Sequence, residues 1–403
     1  MPVREAEPAL RDPESVASPR RLRVAIVGPD PSAHGGVAGF VHAVLASSLA
    51  ERYDLVAVPT HRDGTRRAKL LQARYGLSLL RRLCATGEID LVHLNSSWKG
   101  SFARKAAAAA IARRHGCPVV LQLHGSWFQQ AVRGRGLRGS LARGAAGRVA
   151  RAADAVVAAT PAWGAEASVL LGLDAVTIVP NTALSAANGV PRAANGSDTV
   201  LFLGRLERAK GIFELLEACD VLRPGHPKLR LVLAGRGRDA EELRELAAAR
   251  GLGDTVELPG WVGDEEKQRL LASAACLALP SYAEGLPLAL LEAMLSGVPV
   301  VASRVGGIPE AARDGAEALL VAPGDASGLA AAIGTVLDDR RLAHRLAEAA
   351  RARAFERFGI ERVAADLADV YEDVLAARAR AQAAIGTAGR AGSTTSSSQR
   401  STE

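Results

Sequence analysis

Short apolar runs alternate with helical patterns along most of the chain. In the first half, the runs predict strands at residues 22–28, 55–58, 91–94, 119–123, 155–158 and 176–179. In the second half, they predict strands at residues 200–204, 229–235, 256–258, 276–279, 298–302 and 318–321. Brief apolar runs separated by helices are typical of parallel strands that are buried on both faces. The pattern therefore predicts an α/β protein whose mainly parallel sheets are covered by helices.

The alternation stops once and then starts again, which predicts two domains. Residues 183–198 (ALSAANGVPRAANGSD) separate the two series and have the small, polar composition of a linker. A chain of 403 residues also exceeds the usual size of one domain. We expect an N-terminal domain at residues 21–182 and a C-terminal domain at residues 199–358, each with a doubly wound, Rossmann-like fold.

The remaining segments have simpler patterns. Residues 1–20 and 386–403 are polar, and we expect them to be disordered. Residues 325–384 carry only helical patterns, enough for three helices, and the last of these is expected at residues 359–385. After the first strand, one helix is predicted at residues 37–51.

The composition favours a cytoplasmic protein. No apolar run approaches the roughly 18 residues of a membrane-spanning helix, and the first 20 residues lack the apolar core of a signal peptide. The four cysteines, at positions 84, 117, 219 and 276, show no close pairing. We expect them to be small buried residues rather than disulfide partners or metal ligands.

Positive charge is concentrated in the first half of the chain. Residues 61–153 contain 18 lysines and arginines against 3 acidic residues, a net charge of +15. Because the whole chain carries +7, the remainder carries −8. A basic surface of this kind favours an acidic partner such as anionic lipid, a phosphate-linked substrate or nucleic acid. An arginine-rich solvated face is the alternative.

Two glutamates mark the most informative stretch, residues 281–294 (SYAEGLPLALLEAM). A predicted strand ends just before Glu284, Gly285 permits a sharp turn, and a helix is predicted at residues 287–295. Glu292 lies on this helix among leucines that leave it little exposed face. Because ligands bind at the carboxyl ends of the strands in an open α/β sheet, we expect both glutamates to face a ligand. A helix cap and a solvated charge are the alternatives.

Two loops after predicted strands have the composition of anion-binding sites. Arg205 and Lys210 lie in residues 204–211 (GRLERAKG), where an arginine fork and a lysine point charge suit a diphosphate. Gly35 and Gly36 precede a predicted helix, whose N–H groups and dipole favour an anion. The glycine loop lacks the G-x-G-x-x-G spacing and a Walker lysine. A plain turn and two surface cations therefore remain the alternatives.

A histidine marks the edge of the N-terminal domain. His124 directly follows the strand at residues 119–123 and precedes Gly125. A histidine at the carboxyl end of a strand faces the predicted crevice, which favours a role beside the acceptor. A purely structural histidine is the alternative.

Together these motifs resemble the retaining glycosyltransferases of family 4. The likeness rests on stretches that occur in order along the chain: HGGVAGF at residues 34–40, VPN at 179–181, GRLERAKG at 204–211, SYAEGLPLALLEAM at 281–294 and SGVPVVA at 296–302. It covers about residues 21–380. The resemblance implies the GT-B fold, in which two Rossmann-like domains face each other across a cleft and a C-terminal helix crosses back to the first domain.

The resemblance also implies roles for residues of the C-terminal domain. Arg205 and Lys210 would hold the diphosphate of a nucleotide sugar and take up charge as it leaves. Glu292 would accept hydrogen bonds from the ribose hydroxyls, and Glu284 would contact hydroxyls of the donor sugar. The backbone near the phosphates would come from Gly285 and Leu286.

Other implied contacts surround the donor. Gly35 and Gly36 would approach the donor phosphate from the N-terminal domain. His124 would lie beside the donor sugar and the incoming acceptor. The backbone at Trp261 and Val262 would grip the base.

The chain is expected to need neither a metal nor another cofactor. It has no Asp-x-Asp pair for a diphosphate-bound Mg²⁺, so two basic side chains must take that role. Retention ordinarily suggests a carboxylate nucleophile. The resemblance instead implies a same-face, oxocarbenium-like step in which the leaving phosphate assists deprotonation of the acceptor. Glu284 is therefore not assigned as a nucleophile.

The acceptor is expected on the basic N-terminal domain. Residues 131–153 contain six arginines and no acid, and residues 66–82 mix cations with leucines as an interfacial helix does. We therefore expect a lipid-linked glycan of surface polysaccharide or glycolipid assembly, bound at the anionic inner face of the cytoplasmic membrane. A soluble small acceptor is the alternative. The loop at residues 95–101 is a candidate contact for the acceptor sugar.

Two other functions remain open. A nucleotide-sugar epimerase or hydrolase shares the expected architecture, but it would need more acid/base carboxylates in the N-terminal domain. A nucleic-acid-binding protein would explain a pI near 9.6. The sequence has no nucleic-acid recognition motif and few aromatic residues for base stacking, so we expect no nucleic-acid partner.

Overall fold

Two parallel β-sheets of six strands each organise the molecule. The computed structural model describes residues 20–97, 100–183 and 198–393. The N-terminal sheet contains β1 (Arg23–Pro29), β2 (Asp54–His61), β3 (Leu91–Ser96), β4 (Val119–Leu123), β5 (Ala155–Ala158) and β6 (Thr177–Ile178). The C-terminal sheet contains β7 (Thr199–Leu203), β8 (Arg230–Ala234), β9 (Val256–Gly260), β10 (Cys276–Leu279), β11 (Val300–Ser303) and β12 (Leu319–Val321). Every predicted strand is present, with ends that differ by a few residues.

Each sheet has one point where the strand order reverses. The order is β2-β1-β3-β4-β5-β6 in the N-terminal sheet and β12-β11-β10-β7-β8-β9 in the C-terminal sheet. The switch points therefore lie between β1 and β3 and between β7 and β10. Crevices at the carboxyl ends of such strands are the ligand-binding places of doubly wound sheets. The predicted pair of Rossmann-like domains is confirmed.

Helices cover both faces of the N-terminal sheet. On one face lie α1 (Gly36–Leu45) and α2 (Leu49–Arg52). On the other lie α3 (Arg66–Ala85), α4 (Gly100–Arg114), α5 (Ser126–Arg133), α6 (Gly136–Arg151) and α7 (Pro161–Leu171). Helices are needed on both faces of the sheet because its strands are apolar on each side.

The helix predicted at residues 37–51 is in fact two helices. α1 ends at Leu45, and the Ser47 hydroxyl then donates to Val44 O at 2.7 Å and accepts from Leu49 N at 3.3 Å. A serine hydroxyl that bonds nearby backbone groups competes with the helical pattern. The prediction of one continuous helix is therefore wrong.

The C-terminal domain has its own hydrophobic core. Its helices are α8 (Ile212–Leu222), α9 (Ala240–Ala249), α10 (Asp264–Ser273), α11 (Leu288–Leu295), α12 (Ile308–Ala311), α13 (Ala326–Asp338) and α14 (Arg340–Phe358). A single 3₁₀ turn at Arg208–Lys210 precedes α8.

The last helix, α15 (Ile360–Ser393), returns to the N-terminal domain. Val363, Leu367 and Tyr371 pack with Val24 and Ile26 of β1, on the face that α1 also covers. This is the crossing helix of the predicted fold class.

α15 also corrects the expected C-terminal boundary. Its backbone stays helical to Ser393, so the disorder predicted from residue 386 is wrong for residues 386–393. Residues 360–385 are rich in alanine, which favours helices, and α15 continues from them through residues 386–393 although three glycines lie there. The other expected disordered segments, residues 1–19 and 394–403, and residues 184–197 of the linker lie outside the described residues.

Two predictions from composition can be compared with the structure. All four cysteines are buried and free, as predicted. Across the described ranges, no helix combines the length and the apolar character that crossing a bilayer requires.

Candidate functional site

The two switch points meet across the cleft. A Cβ atom placed on Gly39 of α1 would lie 2.9 Å from Leu288 Cδ1, and one on Gly36 would lie 3.8 Å from Leu288 Cγ. The N-terminus of α1 therefore touches the N-terminus of α11. Gly35 has φ +123°, a conformation that side chains other than glycine rarely adopt. This turn places the predicted glycine loop opposite the loop that carries Glu284.

Glu284 lies at the carboxyl end of β10 and is held by two donors. Lys210 Nζ donates to Glu284 Oε1 at 2.6 Å, and Ser281 Oγ donates to the same oxygen at 2.7 Å. The side chain is nearly buried. Its second oxygen, Oε2, has no hydrogen bond to any described residue. One carboxylate oxygen is thus fixed while the other can accept a bond from a ligand.

The loop after β7 is pressed against the end of β10. Gly211 has φ +69°, and a Cβ there would lie 2.0 Å from Pro280 O, so only glycine fits. The close approach carries Lys210 to Glu284. Arg205 follows the same strand, and its guanidinium is about half exposed, with one bond of 3.2 Å to Glu207 Oε1. Both predicted diphosphate ligands therefore lie at the C-terminal switch point.

Glu292 is nearly buried on α11, as its leucine neighbours predicted. Its partner is Lys267 of α10, whose Nζ donates to Glu292 Oε1 at 2.7 Å and to Asp264 Oδ1 at 3.0 Å. Burial raises the pKa of the Glu292 carboxyl, and the charge and hydrogen bond of Lys267 oppose that rise. Lys267 was not predicted as a site residue, because a lysine in the acidic first turns of a helix is typical of a solvated face.

The backbone at Gly285 and Leu286 is fixed from both domains. Gly285 O accepts from Gly307 N at 2.6 Å within the C-terminal domain. Leu286 O accepts from the side-chain Nδ2 of Asn181 at 2.7 Å. Asn181 belongs to the end of the N-terminal domain and was not predicted as a site residue, although it is part of the VPN stretch.

His124 is buried at the end of β4, with both ring nitrogens near amides. Nδ1 lies 3.2 Å from Asn181 Oδ1, and Nε2 lies 2.9 Å from Asn95 Oδ1. Burial, with a smaller effect of His93, lowers the pKa of His124 to about 3, so the ring is neutral.

A neutral imidazole has only one N–H to donate. Since Asn181 Nδ2 already donates to Leu286 O, we assign the N–H to His124 Nδ1, donating to Asn181 Oδ1. We then assign the Asn95 amide the opposite orientation, in which its Nδ2, otherwise buried without a partner, donates to His124 Nε2. Both nitrogens are thus engaged within the protein. The catalytic role of His124 stays a prediction, and the geometry favours positioning.

The predicted base-binding segment also contacts the N-terminal domain. The Trp261 ring is partly exposed and lies 4.2 Å, between centroids, from the ring of His34 in the glycine loop. His34 Nδ1 in turn lies 3.2 Å from Asp63 Oδ2. Val262 packs against the C-terminal core. In the predicted acceptor loop, Trp98 and Lys99 lie outside the described residues.

Two family descriptions match the sequence, each over one domain. Residues 6–182 match the family described as "Glycosyl transferase 4-like domain", and residues 188–353 match "Glycosyl transferases group 1". The chain belongs to the group 1, family 4-like glycosyltransferases, as the sequence motifs predicted.

Named relatives share part of their length with the chain. Glycogen synthase of Mycobacterium tuberculosis is 33% identical over 273 residues, 66% of this chain and 65% of that protein. The MMP alpha-(1->4)-mannosyltransferase of Mycolicibacterium hassiacum is 40% identical over 168 residues, 41% of each chain. The D-inositol 3-phosphate glycosyltransferase of Streptomyces griseus is 37% identical over 184 residues, 43% of this chain and 39% of that protein. The matched segments span less than two thirds of each relative.

Solved structures share the fold at low sequence identity. Sucrose-phosphate synthase of Thermosynechococcus elongatus has a TM-score of 0.72 at 22% identity, covering 89% of this chain and all 100% of that one. HepE of Anabaena, solved in complex with UDP-glucose, has a TM-score of 0.68 at 20% identity, covering 87% and 100%. These likenesses support the two-domain GT-B architecture.

Proposed function

We propose that the protein is a retaining, metal-independent glycosyltransferase. It would move a hexosyl unit from a UDP- or GDP-linked sugar to an acceptor hydroxyl. The main support is the convergence of Arg205, Lys210, Glu284 and Glu292 at the C-terminal switch point, opposite the glycine loop at Gly36.

The geometry suits departure of a diphosphate. Arg205 and Lys210 supply positive charge where negative charge develops as the bond to the sugar breaks. Lys210 also donates a hydrogen bond to Glu284. Its ammonium would therefore lie between the sugar-binding carboxylate and the phosphates of a bound donor. Lys267 holds Glu292 beside the predicted ribose site. The two cations would take the place of a metal ion.

Relatives support the choice of a hexosyl donor. The HepE structure contains UDP-glucose, and the named relatives include a synthase of glycogen and a mannosyltransferase. We therefore place UDP-hexose and GDP-hexose first among the donors.

A lipid-linked glycan is the proposed acceptor, with peripheral contact to an anionic membrane at the cytoplasmic side. α3 exposes Leu70, Leu71 and Tyr75 among arginines and a lysine. α6 exposes Leu137 and Leu141, and it covers the same face of the sheet as α3. Exposed apolar side chains surrounded by cations fit an anionic bilayer surface.

The test is thermal stability with a panel of UDP-, GDP- and ADP-hexoses, in buffer that contains EDTA. We expect one nucleotide sugar to raise Tm, because a ligand that binds only the folded state stabilises it. The rise should vanish in Glu292→Ala. Turnover of that donor that requires an added divalent cation would contradict metal independence. No shift with any nucleotide sugar would contradict the transferase function.

A further inference from the structure

A cluster of basic side chains lies at the cleft end of the N-terminal sheet, apart from the donor residues. It consists of His61 at the end of β2 and of Arg104 and Lys105 in α4. Thr60 Oγ1 accepts a hydrogen bond from Lys105 Nζ at 2.9 Å and donates to Gly28 O at 3.1 Å. Because Gly28 lies at the carboxyl end of β1, the cluster borders the N-terminal switch point.

Lys105 is a buried cation with one neutral partner. Its side chain is 1% exposed, and it makes no ion pair with any described residue. A buried charge without an opposite charge is costly, and an apolar side chain of similar size is often more stable in such a place. Burial, together with the charge of Arg104, lowers the pKa of Lys105 to about 7. The packing alone gives no reason for a lysine here.

Its two neighbours also have unused polar atoms. Arg104 Nε and His61 Nδ1 are buried and have no hydrogen-bond partner within residues 20–97, 100–183 and 198–393. Burial lowers the pKa of His61, and the positive charges of Arg104, Lys69 and Lys105 lower it further, against an opposing effect of Asp63. Buried polar groups in native proteins are rarely left unpaired. Two unpaired buried atoms beside a buried lysine that lacks an opposite charge indicate a ligand that carries negative charge and accepts hydrogen bonds.

We propose that His61, Arg104 and Lys105 bind a phosphoryl group of the acceptor. This inference rests on the proposed transferase function, in which Arg205 and Lys210 of the other domain hold the donor diphosphate. A phosphate monoester brings about −1.5 to −2 charges and three acceptor oxygens to the cluster. The acceptor class is therefore phosphate-bearing. Its phosphoryl group arrives either on a lipid carrier or on a soluble sugar phosphate.

The first experiment measures phosphate binding after the donor site has been filled. Wild-type protein saturated with UDP is titrated with inorganic phosphate, and Tm is recorded. We expect a further rise in Tm. In Lys105→Met, the apparent Kd for phosphate should weaken about tenfold or more, because a charge-assisted bond is lost. Arg114→Gln, a change of an exposed arginine at the other end of α4, should bind phosphate as the wild type does.

Two further measurements separate folding from binding. Lys105→Met should bind UDP with wild-type affinity and melt at the same or a higher temperature, because it removes an unpaired buried charge. Arg104→Gln, at a part-exposed position, should show the same loss of phosphate binding. Wild-type phosphate affinity in both variants would overturn the site. If the wild-type protein does not bind UDP at all, that result would instead contradict the transferase function.

The source of the phosphoryl group is resolved by two probes. Glycerol 3-phosphate represents a soluble acceptor, and phosphatidylcholine vesicles with or without phosphatidic acid represent a lipid carrier. Binding that depends on Lys105 with glycerol 3-phosphate indicates a soluble phosphorylated acceptor. Binding that depends on Lys105 only with phosphatidic acid indicates a lipid-linked one. Absence of a Lys105 effect with both probes would overturn the inference.

Discussion

His124 illustrates how a buried side chain can matter without touching the reacting atoms. The ring packs at 4.9 Å from Phe40, between centroids, and joins Asn95 to Asn181 through its two nitrogens. Asn181 then bonds the backbone of Leu286 in the other domain. A neutral, fully bonded histidine in this position orients the groups around the cleft.

Replacement of His124 by alanine should affect stability and turnover more than nucleotide binding. The cavity and the two unpaired amides should cost about 2–4 kcal/mol of unfolding free energy. Thermal melting, UDP titration and a transfer assay would measure the three effects. His344→Ala, a change of an exposed histidine, is the control. Normal turnover in a stable His124→Ala protein would leave the residue with a packing role only.

The low pKa of His124 predicts that the free energy of unfolding depends on pH. The pKa of His124 falls from 6.5 to about 3 on folding, so between these values the unfolded chain binds more protons. The free energy of unfolding should therefore decrease as pH falls through this range. Part of that decrease should be absent in His124→Ala, measured by denaturant titration across the range. Equal pH dependence in both proteins would contradict a neutral buried ring.

Lys267 is the clearest site residue that the sequence did not indicate. It opposes the burial that raises the pKa of Glu292, so Lys267→Met should let Glu292 take up a proton at higher pH. UDP affinity in this variant should then be weaker in acidic than in alkaline buffer, because ribose binding needs the carboxylate. Calorimetric titration in both buffers measures this. Lys228→Met, at an exposed position, should show neither change.

At the scale of elements, the positions of the strands were predictable, but the side-chain contacts between distant elements were not. Apolar runs identified all twelve strands, and their ends identified Glu284, Lys210 and His124. Lys267 and Asn181 escaped because their partners lie 25 and 105 residues away, and local patterns do not report such contacts. The break after Leu45 depends on the hydrogen bond of one serine hydroxyl, which the pattern of apolar residues does not reveal.

α3 tests the expectation of a membrane surface. Leu70 and Leu71 are 61% and 55% exposed on a helix rich in arginine. The double change Leu70→Ser and Leu71→Ser should reduce co-flotation with vesicles that contain phosphatidylglycerol, because it removes apolar area from the contact. Val221→Ser, a comparable change at an exposed apolar position of α8, is the control. Equal flotation of all three proteins would exclude α3 from any membrane contact.

At the scale of the whole molecule, Asn181 is one of the side chains that connect the two domains at the cleft. Asn181→Asp removes the amide that donates to Leu286 O and places a carboxylate against that carbonyl. We expect turnover to fall about tenfold or more, while UDP affinity changes little, because Glu292 and Lys210 are untouched. Steady-state kinetics and UDP titration measure the difference.

Thr182 provides the matched control for Asn181. Its hydroxyl donates to Phe358 O at 2.7 Å, away from the donor loop. Thr182→Val should lower Tm without changing turnover per folded molecule. If both variants lose turnover in proportion to Tm, the contact made by Asn181 contributes only to stability.

The return of α15 to the first domain has a consequence for biosynthesis. The face of the N-terminal sheet that carries Val24 and Ile26 is covered in part by Val363, Leu367 and Tyr371. A ribosome makes these residues only after the entire second domain. Apolar surface of the first domain therefore stays uncovered until α15 has been synthesised. A chain that stops before Ile360 would expose that surface to chaperones and proteases.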